Sequence, residues 1–145
     1  MTHFPHLTAR DLHGVPRSLP DDLPSDPTLV ILAFRIYHQA DVDTWTAACP
    51  DLPTVEVPVV DSSEKWMERY IEQGMRAGIS DTADRARTWT AYTRLDQLSL
   101  GASPVDPSEI LAVLSRPNGA VLWSSTGPAR RAAIAEVRAL LDAAR

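Results

Sequence analysis

Apolar and polar positions along the chain sort into segments of two different periods. "TLVILAF" (Thr28–Phe34) is an unbroken apolar, β-branched run, which predicts a strand buried on both faces. Ahead of it, "LTARDLHGVPRSLP" divides into two short extended pieces around a His13-Gly14 turn and predicts a β-hairpin. A helix is expected from about Asp41, with Val42, Trp45 and Ala48 on one stripe and an end near Cys49-Pro50. "TVEVPVV" (Thr54–Val60) predicts a second strand, and its Pro58 places the strand's end near an edge. "DSSE" resembles a capping box, with Asp61 accepting from the amide three residues on and Glu64 reaching back. The helix it opens carries Trp66, Met67, Tyr70, Ile71 and Met75 as one apolar stripe, with Gly78 as its C-terminal cap.

"RTWTAYT" (Arg87–Thr93) alternates and predicts a third strand. "EILAVLS" (Glu109–Ser115) and "AVLWSS" (Ala120–Ser125) flank Arg116-Pro117-Asn118-Gly119, whose Pro and Gly positions suit a type I turn and hence a hairpin. A last helix starts at Pro128, with Ala133, Ile134, Val137, Leu140, Leu141 and Ala144 on its apolar stripe. Parallel βαβ units followed by an antiparallel hairpin and a packing helix define a three-layer α/β/α sandwich with a mixed central sheet. The expected organisation is one domain over 1–145, with an N-terminal hairpin extension (1–27) and a core (28–145).

Composition narrows the function classes. The chain has 145 residues, enough to bury about two thirds of its unfolded surface. A net charge of −5 disfavours nucleic-acid and anionic-membrane partners. Lys65 is the only lysine, which reads as a bacterial genome bias towards Arg and strips Arg of special meaning. Cys49 is the only cysteine, so an intrachain disulfide or dithiol couple is excluded. "MTHFPHLTARD" has no basic region followed by an apolar one, and no run reaches the ~20 apolar residues of a membrane span. A cytoplasmic protein without membrane insertion is the expectation.

The stretch "DLHGVPRSLPDDLPSDPTLVILAF" resembles the N-terminal extension and first core strand of peroxiredoxin-like and related thioredoxin-fold proteins. The C-terminal half, Tyr92 followed by "ILAVLSRPNGAVLWSSTGPA", is similar to the thioredoxin-like family of mitochondrial ATP-synthase assembly factors through Gly119, Trp123 and Gly127. The resemblance implies a thioredoxin-like fold and a site where Phe34 gives way to the next helix. Redox members place their cysteines there; aligning the strand ends puts Gln39 and Val42 at about those positions, so redox chemistry does not carry over.

Without a thiol, the loop of Arg35, Tyr37, His38 and Gln39 at a helix N-terminus is a candidate surface for a protein partner or a small anion. Arg76 and Arg87, in a segment also holding Asp81, Asp84 and Arg85, are candidates to complete it; the alternative is surface Arg–Asp pairing. Pro107, ahead of a core strand, is the candidate cis-proline, with Pro104 as competitor. Cys49 falls at a helix C-terminus, where the dipole disfavours a thiolate; an inert thiol is weighed against a one-thiol, peroxiredoxin-like centre. His3, His6 and His13 fit no compact metal motif, and no cofactor motif is visible. Trp66, Trp89 and Trp123 read as core, and Trp45 as a residue able to line a pocket beside the loop. The reading is a non-redox thioredoxin-fold binding or assembly module, with a homodimer also open.

Overall fold

Strands β1 (Leu7–Asp11) and β2 (Pro16–Leu19) form the hairpin expected around His13-Gly14, and one side chain organises its turn. Asp11 is buried, and its Oδ1 accepts from the amides of His13 at 2.9 Å and Val15 at 3.0 Å. Its Oδ2 accepts from Arg17 at 3.2 Å, and the Arg17 guanidinium lies 5.4 Å from the centroid of the Trp89 ring. The computed structural model describes residues 2–79 and 82–144, without the side chains of Lys65, Glu68, Arg69, Arg76 and Thr82.

The remaining elements run β3 (Thr28–Ala33), α1 (Gln39–Ala48), β4 (Thr54–Asp61), α2 (Glu68–Gly78), α3 (Thr82–Arg87) and β5 (Trp89–Thr93). After them come a small hairpin of β6 (Ser99–Leu100) and β7 (Ser103–Pro104), then β8 (Leu111–Ser115), β9 (Val121–Thr126) and α4 (Arg131–Ala144). Seven strands form one mixed sheet in the order β2-β1-β5-β4-β3-β8-β9. β3 pairs in parallel with β4 and antiparallel with β8, so its apolar run is central, as its composition demands. The β8–β9 turn closes as expected, the Gly119 amide donating to the Arg116 carbonyl at 2.9 Å.

The two faces of the sheet are covered differently. Leu29, Ile31, Ala112 and Leu114 pack under Val42, Trp45 and Cys49 of the α1 end and under Val137 and Leu141 of α4. On the opposite face, Val30, Leu32, Val55, Val57, Val59, Ala91 and Val113 are covered by Phe4, Leu19, Leu23, Leu98 and Leu100. Among the described residues that second cover contains no α-helix; it is made of the N-terminal segment, the turn after β2, and the β6–β7 region. Phe4 is fully buried there, its amide donating to the Gly119 carbonyl at 2.8 Å.

One helical stripe departs from its expectation. Residues Ser62–Met67 form a 3-10 segment, and the α-helix begins only at Glu68. A 3-10 turn advances about 120° per residue against about 100° in an α-helix, so a stripe counted at the α period loses phase at the junction. Ile71 and Glu72 turn inward, with Met75 accepting from the Thr90 hydroxyl through its sulfur, while Trp66 (78%) and Tyr70 (76%) are exposed. Trp66 is therefore not core, whereas Trp89 and Trp45 are buried. Trp123 is partly buried, edge-on to Trp45 with ring centroids 5.8 Å apart. Asp61 accepts from the Ser63 amide, two residues on rather than the expected three, at 3.0 Å and from the Leu95 amide at 3.3 Å, and hydrogen bonds from Ser63 and Leu95 lower its pKa.

Candidate functional site

The exit of β3 is built around a buried imidazole. His38 is 2% exposed, and its Nδ1 accepts from the amides of Phe34 at 3.0 Å and Arg35 at 3.2 Å. An Nδ1 that accepts twice carries no proton, so the proton sits on Nε2, which donates to the Ser108 carbonyl at 3.2 Å. His38 thus ties the end of β3 to the segment entering β8, and it presents no free nitrogen to a ligand. Its ring is framed edge-on by Phe34 and Tyr37.

Around this anchor the loop turns its other side chains out. Ile36 is 98% exposed, Tyr37 is 71% exposed, and Arg35 and Gln39 are exposed too. Arg35 donates from Nη1 to the Phe34 carbonyl at 3.3 Å; Gln39 donates to Asp43 one helical turn on at 2.8 Å. Val42, at the second thiol-equivalent position, is buried in the core. Because β3 and β4 are parallel neighbours, the chain leaves β4 at the same end of the sheet, so exposed Trp66, and Tyr70 in the first turn of α2, start from the edge of the molecule that displays Ile36 and Tyr37. Sequence reasoning missed Ile36 and took Trp66 and Tyr70 for buried positions; four exposed apolar side chains on one edge emerge only from the topology.

Arg87 does not join this edge. Ala33 pairs with Pro58 and Glu56 bridges to Thr88, so Arg35 is level with about Val60 and Arg87 with about Val55. Five residues at ~3.3 Å each separate the two by roughly 16 Å along the strands, before the two-strand lateral offset is added. Arg87 pairs with Asp84 at 2.8 Å, as the surface-pairing alternative supposed. The Arg76 side chain and Asp81 lie outside the described residues. The cis-proline expectation is corrected: the cis peptides precede Pro20 and Pro27, not Pro107 or Pro104. Around Pro107 the Asp106 carboxylate accepts from the Ser108 amide at 2.9 Å, an Asx turn that shapes the segment with a trans proline.

A cavity of ≈ 160 Å³ opens instead at the opposite end of α1, lined by Thr46, Cys49, Pro50, Leu52, Thr54, Glu56, Asp84, Arg87 and Thr88. Cys49 is 1% exposed, and burial pushes its thiol pKa up. Glu56 is raised from 4.5 to about 7, first by burial, then by the charges of Asp43 and Asp84, with Arg87 opposing. His3 and His6 lie with rings 5.8 Å apart, but among the described residues no group of three or more His, Cys, Asp or Glu side chains is placed to hold a metal ion. No described helix is long and apolar enough to cross a membrane.

No family model matches the sequence, and no curated protein matches it. Solved structures do match its shape. A thio-disulfide isomerase from Thermus thermophilus aligns with a TM-score of 0.60 at 12% identity, over 95% of this chain and 93% of its own. BsSco, of the Sco family of cytochrome c oxidase assembly proteins, gives 0.61 at 14% identity over 99% and 94%. ScoI of Arabidopsis thaliana, with copper bound, gives 0.59 at 11% over 96% and 98%. The fold is thioredoxin-like, and the chain carries a single cysteine.

Proposed function

We propose that this thioredoxin-fold chain is a non-redox binding or assembly module that docks a protein partner on the edge carrying Ile36, Tyr37, Trp66 and Tyr70. The observation behind the reading is the pairing of a buried, fully hydrogen-bonded His38 with outward apolar neighbours. Exposed large aromatics at a rigid edge favour macromolecular contact, since a Tyr or Trp buried at an interface contributes more than most residues. The buried, high-pKa Cys49 supports a role without thiol chemistry. Arg35 and Gln39 supply the polar border.

A photo-crosslinking side chain placed at Tyr37 or Trp66, in cells of the source organism, tests the reading. One partner of discrete mass should be trapped from both positions and not from Val15, an exposed residue on the β1–β2 turn. The purified partner should then lose at least tenfold in affinity for Ile36→Ser/Tyr37→Ala and bind Cys49→Ala normally. Full affinity in the double variant, or dependence on Cys49, overturns the proposal.

A further inference from the structure

The cavity below Cys49 lies away from that edge and has a lining with a chemical bias of its own. We propose that it binds a small organic cation, a short primary alkylammonium, with the Glu56 carboxylate as counter-ion. Three of its lining residues are threonines, and each hydroxyl proton is already committed to a backbone carbonyl. Thr46 donates to Asp43 at 3.1 Å, Thr54 to Leu52 at 3.0 Å and Thr88 to Asp84 at 2.8 Å. A hydroxyl that has given its proton has only lone pairs left, so these residues can only accept from a ligand. Glu56 and Asp84 add carboxyl acceptors.

The charge balance points the same way. The Glu56 side chain makes no hydrogen bond or ion pair among the described residues, although it lines the cavity. Asp43 from α1 and Asp84 from α3 both act on it as negative neighbours. Among the described residues the one cation facing it, Arg87, is held by Asp84. Arg138 and Asp51, which pair with each other at 3.0 Å, act on the neighbouring Cys49. Arg87 is the one lining guanidinium and is paired with Asp84, so an ammonium group would bring Glu56 a positive charge not already paired and three N–H donors for the threonine and carboxyl acceptors. Pro50 and Leu52 offer apolar surface to a short alkyl tail. At about 30 Å³ per water, the cavity has room for roughly five waters or one such amine.

Cation binding requires ionised Glu56, so affinity must climb as pH rises through about 7. The experiment titrates n-propylammonium chloride into the full chain. Amide chemical shifts and calorimetry follow it, against sodium chloride at matched ionic strength and against sodium propionate. Saturable binding is expected at Thr54–Val57 and Thr88, weaker by about tenfold at pH 6 than at pH 8, in proportion to the ionised fraction of Glu56. Glu56→Gln should weaken it by at least tenfold while remaining folded. Arg87→Ala, which removes the competing cation, should tighten it. Shifts no larger than those with sodium chloride, equal affinity in Glu56→Gln, or preferential binding of propionate would each overturn the proposal.

Discussion

Glu56 gives the sharpest test of the folded energetics. Its carboxyl holds a proton to about pH 7 in the folded chain, against 4.5 for an unperturbed group. Where the folded pKa exceeds the unfolded one, the folded state binds more protons, and stability declines as pH rises between the two values. The contribution is therefore complete below about pH 4.5 and is lost progressively as pH climbs through 7. A difference of about 2.5 units at ~1.36 kcal/mol each sets an upper figure near 3 kcal/mol. Glu56 keeps some contact with solvent, which screens its neighbours, so on the order of 2 kcal/mol is expected in practice.

Glu56→Gln keeps the shape and removes the charge, so the variant should gain that amount over wild type at pH 8 and little at pH 5. Urea unfolding at both pH values measures it; with a slope of ~2 kcal/mol/M, the variant's midpoint advantage should grow by about 1 M between them. If the difference between the two proteins does not change with pH, the carboxyl is ionised in the folded chain and the burial argument fails.

Other residues give independent checks. His38→Ala strands the amides of Phe34 and Arg35 and should cost about 2–4 kcal/mol in urea unfolding, with His38→Asn recovering part through its amide oxygen. Cys49 should resist a neutral alkylating reagent in the folded chain and react readily in denaturant, checked by mass spectrometry; equal rates would place the thiol outside the core. Gly119→Ala should lose about 1–2 kcal/mol in thermal unfolding, because φ is +95° and an added Cβ would meet the His3 ring; removing that ring in His3→Ala should restore only the steric share.

Legibility followed the range of the forces involved. β3, the β1–β2 hairpin and the Arg116–Gly119 turn are set by local apolarity and turn chemistry, and each was readable from contiguous residues. The helix α3 and the β6–β7 hairpin were not, since Thr82–Arg87 is a short charged stretch and Ser99–Pro104 spans only a two-residue ladder. Trp66 and Tyr70 were misplaced by a local change of helical period. At the loop, the residue types were visible but their roles were not. His38 looked like a ligand until its backbone partners, one of them 70 residues away, placed it in the core. The cavity was invisible because Cys49, Glu56 and Asp84 come from three elements joined only by tertiary packing.

The His38 anchor also has a kinetic side. A loop tied at both ring nitrogens has already surrendered its conformational freedom during folding, so Ile36 and Tyr37 would meet the proposed partner with little left to order. Association at this edge should then proceed as a near rigid-body encounter, with a rate set by collision geometry and an affinity decided in the dissociation step. Loosening the anchor would slow capture even though every side chain of the contact surface remained in place.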